Sequence, residues 1–72
     1  MVENKLKNIL IDEKSSIEKT LRKIKSNGQG ACFAIDKEKK LSGIITDGDI
    51  RKLILKKISI KSQIKKNLNK RF

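Results

Sequence analysis

Two rhythms of apolar and polar positions alternate along this chain, and the changes of rhythm mark its elements. Ile9-Leu10-Ile11 is a short apolar run after a polar start, which predicts a brief strand or an extended lead-in. Ser15 and Ser16 then offer N-caps, with Glu18 three residues after Ser15 at capping-box spacing. Ile17, Leu21 and Ile24 form one apolar stripe at helical spacing, while Glu18, Lys19, Arg22, Lys23 and Lys25 occupy the other faces. Asn27-Gly28 ends that helix, since glycine accepts the left-handed conformation that closes it.

Ala31 to Ile35 is a continuous apolar stretch, too short for a helix of its own, and it predicts a buried strand. The charged run Asp36 to Lys40 reads as a turn. Leu41 to Ile45 reads as a second strand, in which Gly43 marks a close backbone approach. Ile50, Leu53 and Ile54 restore helical spacing, so the rhythm switches from strand to helix across Thr46-Asp47-Gly48-Asp49. Ile60, Ile64 and Leu68 give a weaker helical stripe in a basic tail. The predicted order is helix, strand, strand, helix, an α/β arrangement.

Composition narrows the function. A chain of 72 residues has room for one domain, and so small a domain removes only about 60% of its unfolded surface from water. The formal net charge of +11 is unevenly placed. Through Asp49 ten basic residues nearly balance eight acidic ones, whereas from Ile50 onward nine basic residues stand with no acid. No apolar run approaches the roughly 18 residues needed to cross a bilayer, and the N-terminus lacks a secretory pattern, so a cytoplasmic location without a membrane partner is expected. Cys32, flanked by Ala31, Phe33 and Ala34, reads as a small buried thiol. The absence of histidine removes the commonest general base and the commonest metal ligand.

The Thr46–Asp49 junction carries the candidate chemistry. The first N–H groups of a helix lack intrahelical partners and, with the helix dipole, attract phosphate. Thr46 adds a hydroxyl that can donate to a phosphate oxygen, and the carboxylate of Asp49 suits a sugar diol. A purely local reading competes: Thr46 or Asp47 caps the helix and Asp49 offsets its dipole. Enzymatic and metal motifs fail. Gly28-Gln29-Gly30 precedes a strand instead of following one, and Phe33 stands where a dinucleotide fingerprint needs its third glycine. Asp47-Gly48-Asp49 hints at a calcium loop, but Arg51 takes the place of the next oxygen ligand. No acid–base pair is recognisable, so neither catalytic nor metal-binding residues are expected.

Gly43-Ile44-Ile45-Thr46-Asp47-Gly48-Asp49 resembles the signature of the CBS domain: glycine, an apolar residue, any residue, threonine or serine, any two, then aspartate. Ser16-Ile17-Glu18-Lys19-Thr20-Leu21 resembles the family's first helix, and Phe33-Ala34-Ile35-Asp36 its apolar strand ending in aspartate. The resemblance spans about Ile9 to Lys57. The wording TDGDIRK is similar to CBS modules attached to bacterial arabinose 5-phosphate isomerases and sugar-1-phosphate nucleotidyltransferases.

The resemblance implies a single non-catalytic regulatory repeat over residues 1–58, followed by a basic tail over 59–72 that resembles the connector into a missing second repeat. It implies no required cofactor and a bound nucleotide such as AMP, ATP or a sugar nucleotide. Thr46 would contact phosphate and Asp49 the ribose, with the backbone of Gly30 and Ala31 flanking the base and Ser15 as a further neighbour; Asp47 would be the cap. Because CBS repeats work in pairs, it also implies either a homodimer, with the strands Ala31 to Ile35 and Leu41 to Ile45 near the contact, or a longer parent enzyme. The basic last third supports a second reading, nonspecific nucleic-acid binding. Against it, the chain has no tryptophan or tyrosine for a stacking platform.

Overall fold

The computed structural model describes residues 8–70. Residues 1–7 of the expected repeat, and Arg71 and Phe72 of the tail, lie outside the described residues. Strand β1 (Leu10–Asp12) leads into helix α1 (Ile17–Asn27), which crosses over to β2 (Ala31–Ile35). A turn then connects to β3 (Leu41–Thr46), which passes directly into helix α2 (Asp47–Leu55), and a single 3-10 turn follows at Ile64–Asn67. The sheet order is β1-β2-β3. β1 and β2 are parallel, with Leu10 opposite Phe33, whereas β2 and β3 are antiparallel, with Cys32 opposite Ile45 and Ala34 opposite Gly43.

Alternation along β2 buries Cys32 and Ala34 and leaves Ala31, Phe33 and Ile35 half-buried on the other face. The inner face of the hairpin is therefore built of small residues, Cys32, Ala34 and Gly43, beside Ile45. Helix side chains of larger volume fill the space: Ile17 and Ile24 from α1, Ile50 and Leu53 from α2, with Leu21 packed at the margin. Each fully buried isoleucine contributes about 1.5–3 kcal/mol. Thr20 is also fully buried on this face, and its hydroxyl donates to the Ser16 carbonyl at 2.8 Å.

Helix α1 is capped by Ser16, whose hydroxyl accepts from Lys19 N at 3.0 Å. Ser15 does not take that role, and the Ser15–Glu18 capping box does not form. Ser15 instead donates its N–H to the Asp12 carbonyl and accepts from Ile64 N, each at 2.9 Å. At the other end Gly28 adopts φ 67°, and its N–H bonds the Ile24 carbonyl, as the sequence predicts.

The tail departs from the expected helical stripe. Only Ile64–Asn67 is helical, as one 3-10 turn, because the intervening backbone is bonded to the rest of the domain. Carbonyls of Ser62 and Ile60 accept from Ile17 N and Glu18 N, each at 2.9 Å. These are the first two helical N–H groups of α1, which have no partner within the helix. Ile64 is fully buried in the shared core, and Asn69 exchanges two backbone hydrogen bonds of 2.9 Å with Ile44 along the outer edge of β3. Gly43 makes this edge accessible: a Cβ there would stand 2.8 Å from Leu68 Cβ and 3.0 Å from the Asn69 carbonyl oxygen.

Candidate functional site

The register of the hairpin sets which sequence candidates can meet. Ala31 lies opposite Thr46 at one end of the sheet, whereas Ile35 lies opposite Leu41 and Asp12 at the other. Gly30, with φ 75°, directs its carbonyl to Asp47 N at 2.9 Å and so ties the entry of β2 to the first turn of α2. Thr46, Asp49, Gly30 and Ala31 are therefore brought together. Ser15 is not: it follows β1 at the Asp12 end of the sheet, where it is buried.

Thr46 and Asp49 form a reciprocal capping box. Thr46 Oγ1 accepts from Asp49 N at 3.1 Å, and Asp49 Oδ2 accepts from Thr46 N at 3.0 Å. This corrects the role expected of Asp47, which is the first helical residue and not the cap. Asp47 pairs instead with Arg51, Oδ2 to Nε at 3.2 Å, on an exposed helix face. Such an exposed pair adds little stability. It does set a positive charge against one of the two carboxylates at this junction.

The capping box does not exhaust the chemistry of its members. A threonine hydroxyl has one donor and two acceptor positions, and a carboxylate has two oxygens. The box uses an acceptor position of Thr46 and Oδ2 of Asp49. The hydroxyl hydrogen of Thr46 and Oδ1 of Asp49 have no partner among the described side chains. Both residues are only half-buried. The local reading and the ligand reading thus coexist: the cap fixes the two side chains, and what remains is one donor for an anion and one charged acceptor for a hydroxyl.

Asn27 is a supporting residue that the sequence presented only as a helix terminator. Its Nδ2 donates to the carbonyls of Asn8 at 2.9 Å and Ala31 at 3.2 Å, and its Oδ1 accepts from Gln29 N at 2.8 Å. It therefore holds the Gly28–Ala31 loop at both sides. An Asn-Gly pair is itself a turn signal, but nothing in sequence spacing shows that the amide reaches the following strand.

Cys32 is fully buried, and burial pushes its thiol above the usual cysteine range despite the opposing effects of the Lys23 charge and the Asn27 amide. That is the environment of a packing thiol, not of a nucleophile. Hollows elsewhere on the surface, at the Asp12–Asp36 end of the sheet and beside Ile58 and Lys66, are lined by none of Thr46, Asp49, Gly30 and Ala31. Gly30 is exposed and Ala31, Thr46 and Asp49 are half-buried, so the four form an open, solvent-facing shelf. No cluster of ligating side chains that could hold a metal ion occurs among the described residues.

A family model for the CBS domain matches residues 5–56. No curated protein matches the chain. Among solved structures, a CBS domain protein from Pyrobaculum aerophilum complexed with AMP superposes with a TM-score of 0.80 at 13% identity, over 85% of this chain and 48% of that one. Staphylococcus aureus OpuCA gives a TM-score of 0.75 at 14% identity, over 89% and 51% of the two chains. CbpB in complex with c-di-AMP gives 0.76 at 22% identity, over 86% and 45%. The chain spans about half the length of these proteins, and at such identities the likeness establishes a common fold.

Proposed function

The chain belongs to the CBS domain family, and from that premise we propose that it is a non-catalytic regulatory module that binds an adenine nucleotide at the β3–α2 junction. The observation that carries this reading is the capping box with its two unused groups. Thr46 offers a hydroxyl hydrogen to phosphate, Asp49 offers Oδ1 to the ribose hydroxyls, and the Gly30–Ala31 backbone stands beside them for the base. The AMP and c-di-AMP named with two proteins of the same fold support the choice of adenine. The TDGDIRK wording extends the proposal to an association with sugar-nucleotide biosynthesis.

The open shelf calls for a second wall, and the family's habit of pairing repeats supplies one. The face of the sheet away from the helices carries Leu10, Phe33, Ile35 and Leu41 around a hollow of about 420 Å³. A second repeat, from another copy or from a longer parent chain, would cover this apolar surface and enclose the nucleotide. Thermal unfolding with AMP, ATP, c-di-AMP, GMP and CMP at two protein concentrations tests the proposal. A ligand at a hundredfold excess over its dissociation constant adds about 2.7 kcal/mol to a domain that binds it only when folded. Adenine nucleotides should raise the midpoint and the others should not; an unchanged midpoint throughout sinks the nucleotide reading.

A further inference from the structure

Exposed aliphatic side chains are concentrated in one short span of this molecule. Ile54 is 44% exposed, Leu55 82%, Ile58 37% and Ile60 43%; Leu41, at 44%, is the one other large apolar side chain so exposed among the described residues. The span is also where the positive charge is unopposed. Arg22, Lys40 and Arg51 each pair with a carboxylate, and Lys65 reaches Glu13 at 3.7 Å. Lys52, Lys56, Lys57, Lys61 and Lys66 form no ion pair among the described residues, and no acidic residue occurs after Asp49.

One member of each set, Ile58 and Lys66, lines a common concave surface. A hollow of about 500 Å³ is lined by Ile58, Ser62, Gln63, Lys65, Lys66 and Asn67. Just before Ile58, at the end of α2, Lys57 takes a left-handed conformation with φ 62°. Lys57 N bonds the Ile54 carbonyl and Ile58 N bonds the Leu53 carbonyl, the paired closing bonds of a Schellman motif. Glycine is the residue that accepts this position without strain, so a lysine there keeps a charge at the cost of backbone ease.

We infer that this surface docks an acidic segment of a partner protein, whose apolar side chain enters the hollow at Ile58 while its carboxylates meet the surrounding lysines. The charge pattern selects the occupant. A second copy would bring two uniformly positive faces together, and like charges at contact distance lie well inside the roughly 8 Å screening length of physiological salt. A nucleic acid would satisfy the lysines but offers the aliphatic side chains nothing, and the span holds no aromatic side chain on which a base could stack. A bilayer surface cannot fill a concave hollow. An acidic, partly apolar peptide meets both requirements together.

The test uses the whole chain and a defined probe, a short peptide of glutamate and leucine at helical spacing, with one control carrying Gln for Glu and another carrying Ser for Leu. Binding is read by fluorescence anisotropy at physiological ionic strength and located by amide chemical shifts. The Glu–Leu peptide should bind at least about tenfold more tightly than either control, with shifts confined to the span from Ile54 to Asn67. Leu55→Ser and Ile58→Ser should each weaken binding while leaving circular dichroism and nucleotide-induced stabilisation unchanged, which separates this surface from the nucleotide shelf. Equal binding of the Ser control, shifts located elsewhere, unaltered affinity in both variants, or tighter binding to phosphatidylserine vesicles or a DNA duplex than to the peptide would each overturn it.

Discussion

Leu68 rests against Gly43 with no room for another carbon: a Cβ at position 43 would lie 2.8 Å from Leu68 Cβ. The conformation of Gly43 is ordinary extended backbone, so space and not backbone freedom demands the glycine. Gly43→Ala should destabilise the domain by about 1–3 kcal/mol, the usual cost of overpacking. The penalty should shrink when Leu68→Gly is made in the same chain. Urea unfolding of the two single variants and the double variant measures that coupling.

Ile64 and Ile60 give the tail a graded test. Ile64 is fully buried, whereas Ile60 is 43% exposed. Ile64→Ala should cost about 2–5 kcal/mol, enough to leave so small a domain near its unfolding midpoint. Ile60→Ser should cost far less. Equal and small effects in equilibrium denaturation would mean that the tail is not part of the cooperative unit.

For the shelf, Thr46→Asp and Asp49→Asn separate capping from binding. Aspartate is as good an N-cap as threonine, so Thr46→Asp should leave stability within about 0.5 kcal/mol while placing a negative charge where phosphate would sit. Nucleotide-induced stabilisation should disappear. Asp49→Asn keeps an acceptor for Thr46 N but loses the charge, which should weaken nucleotide binding about tenfold. If the basic tail held the anion instead, removing this carboxylate would strengthen binding, so the sign of the change in affinity decides.

The buried thiol makes a pH prediction. Burial of Cys32 raises its folded-state pKa above the ordinary cysteine value of about 9. Above that pH the unfolded chain loses the proton while the folded chain keeps it. Stability from this group is therefore fully present below about pH 9 and is lost as pH rises towards the folded value. Cys32→Ala should lower stability at neutral pH but flatten the alkaline slope, measured as the difference in unfolding free energy between the two chains from pH 8 to pH 10.

Lys57 occupies a left-handed position at the end of α2. Lys57→Gly should stabilise the domain by about 1 kcal/mol, the relief of the Cβ contact less the backbone entropy glycine loses on folding. It should also weaken the acidic peptide by removing one cation. A chemical denaturation curve and an anisotropy titration on the same variant report both effects.

The elements were legible because each strand or helix here carries its own signal. Ile17, Leu21 and Ile24 show one period, Ala31 to Ile35 another, and Gly28 a stop. Gly43 could even be read as a close approach, though not what approached it. What the sequence hid was non-local. The stripe of Ile60, Ile64 and Leu68 has helical spacing, yet Ile60 and Ser62 give their carbonyls to α1 and Asn69 pairs with Ile44, and no periodicity reveals such partners. Thr46 and Asp49 were visible as candidates by type and spacing. Their mutual bonds, and the displacement of the cap from Asp47 to Thr46, depended on the φ and ψ of the strand end, which composition does not specify.

Closure of α1 by the tail also bears on synthesis. The N–H groups of Ile17 and Glu18 wait for carbonyls more than forty positions downstream, and the core lacks Ile64 until then. A ribosome delivers residues at about 5–20 per second. A nascent chain exposed only as far as Leu55 holds all three strands and both helices outside the tunnel, yet its core lacks Ile64 and the first two N–H groups of α1 lack their tail carbonyls. The core and the first turn of α1 can therefore be completed only after residues through Ile64 have emerged.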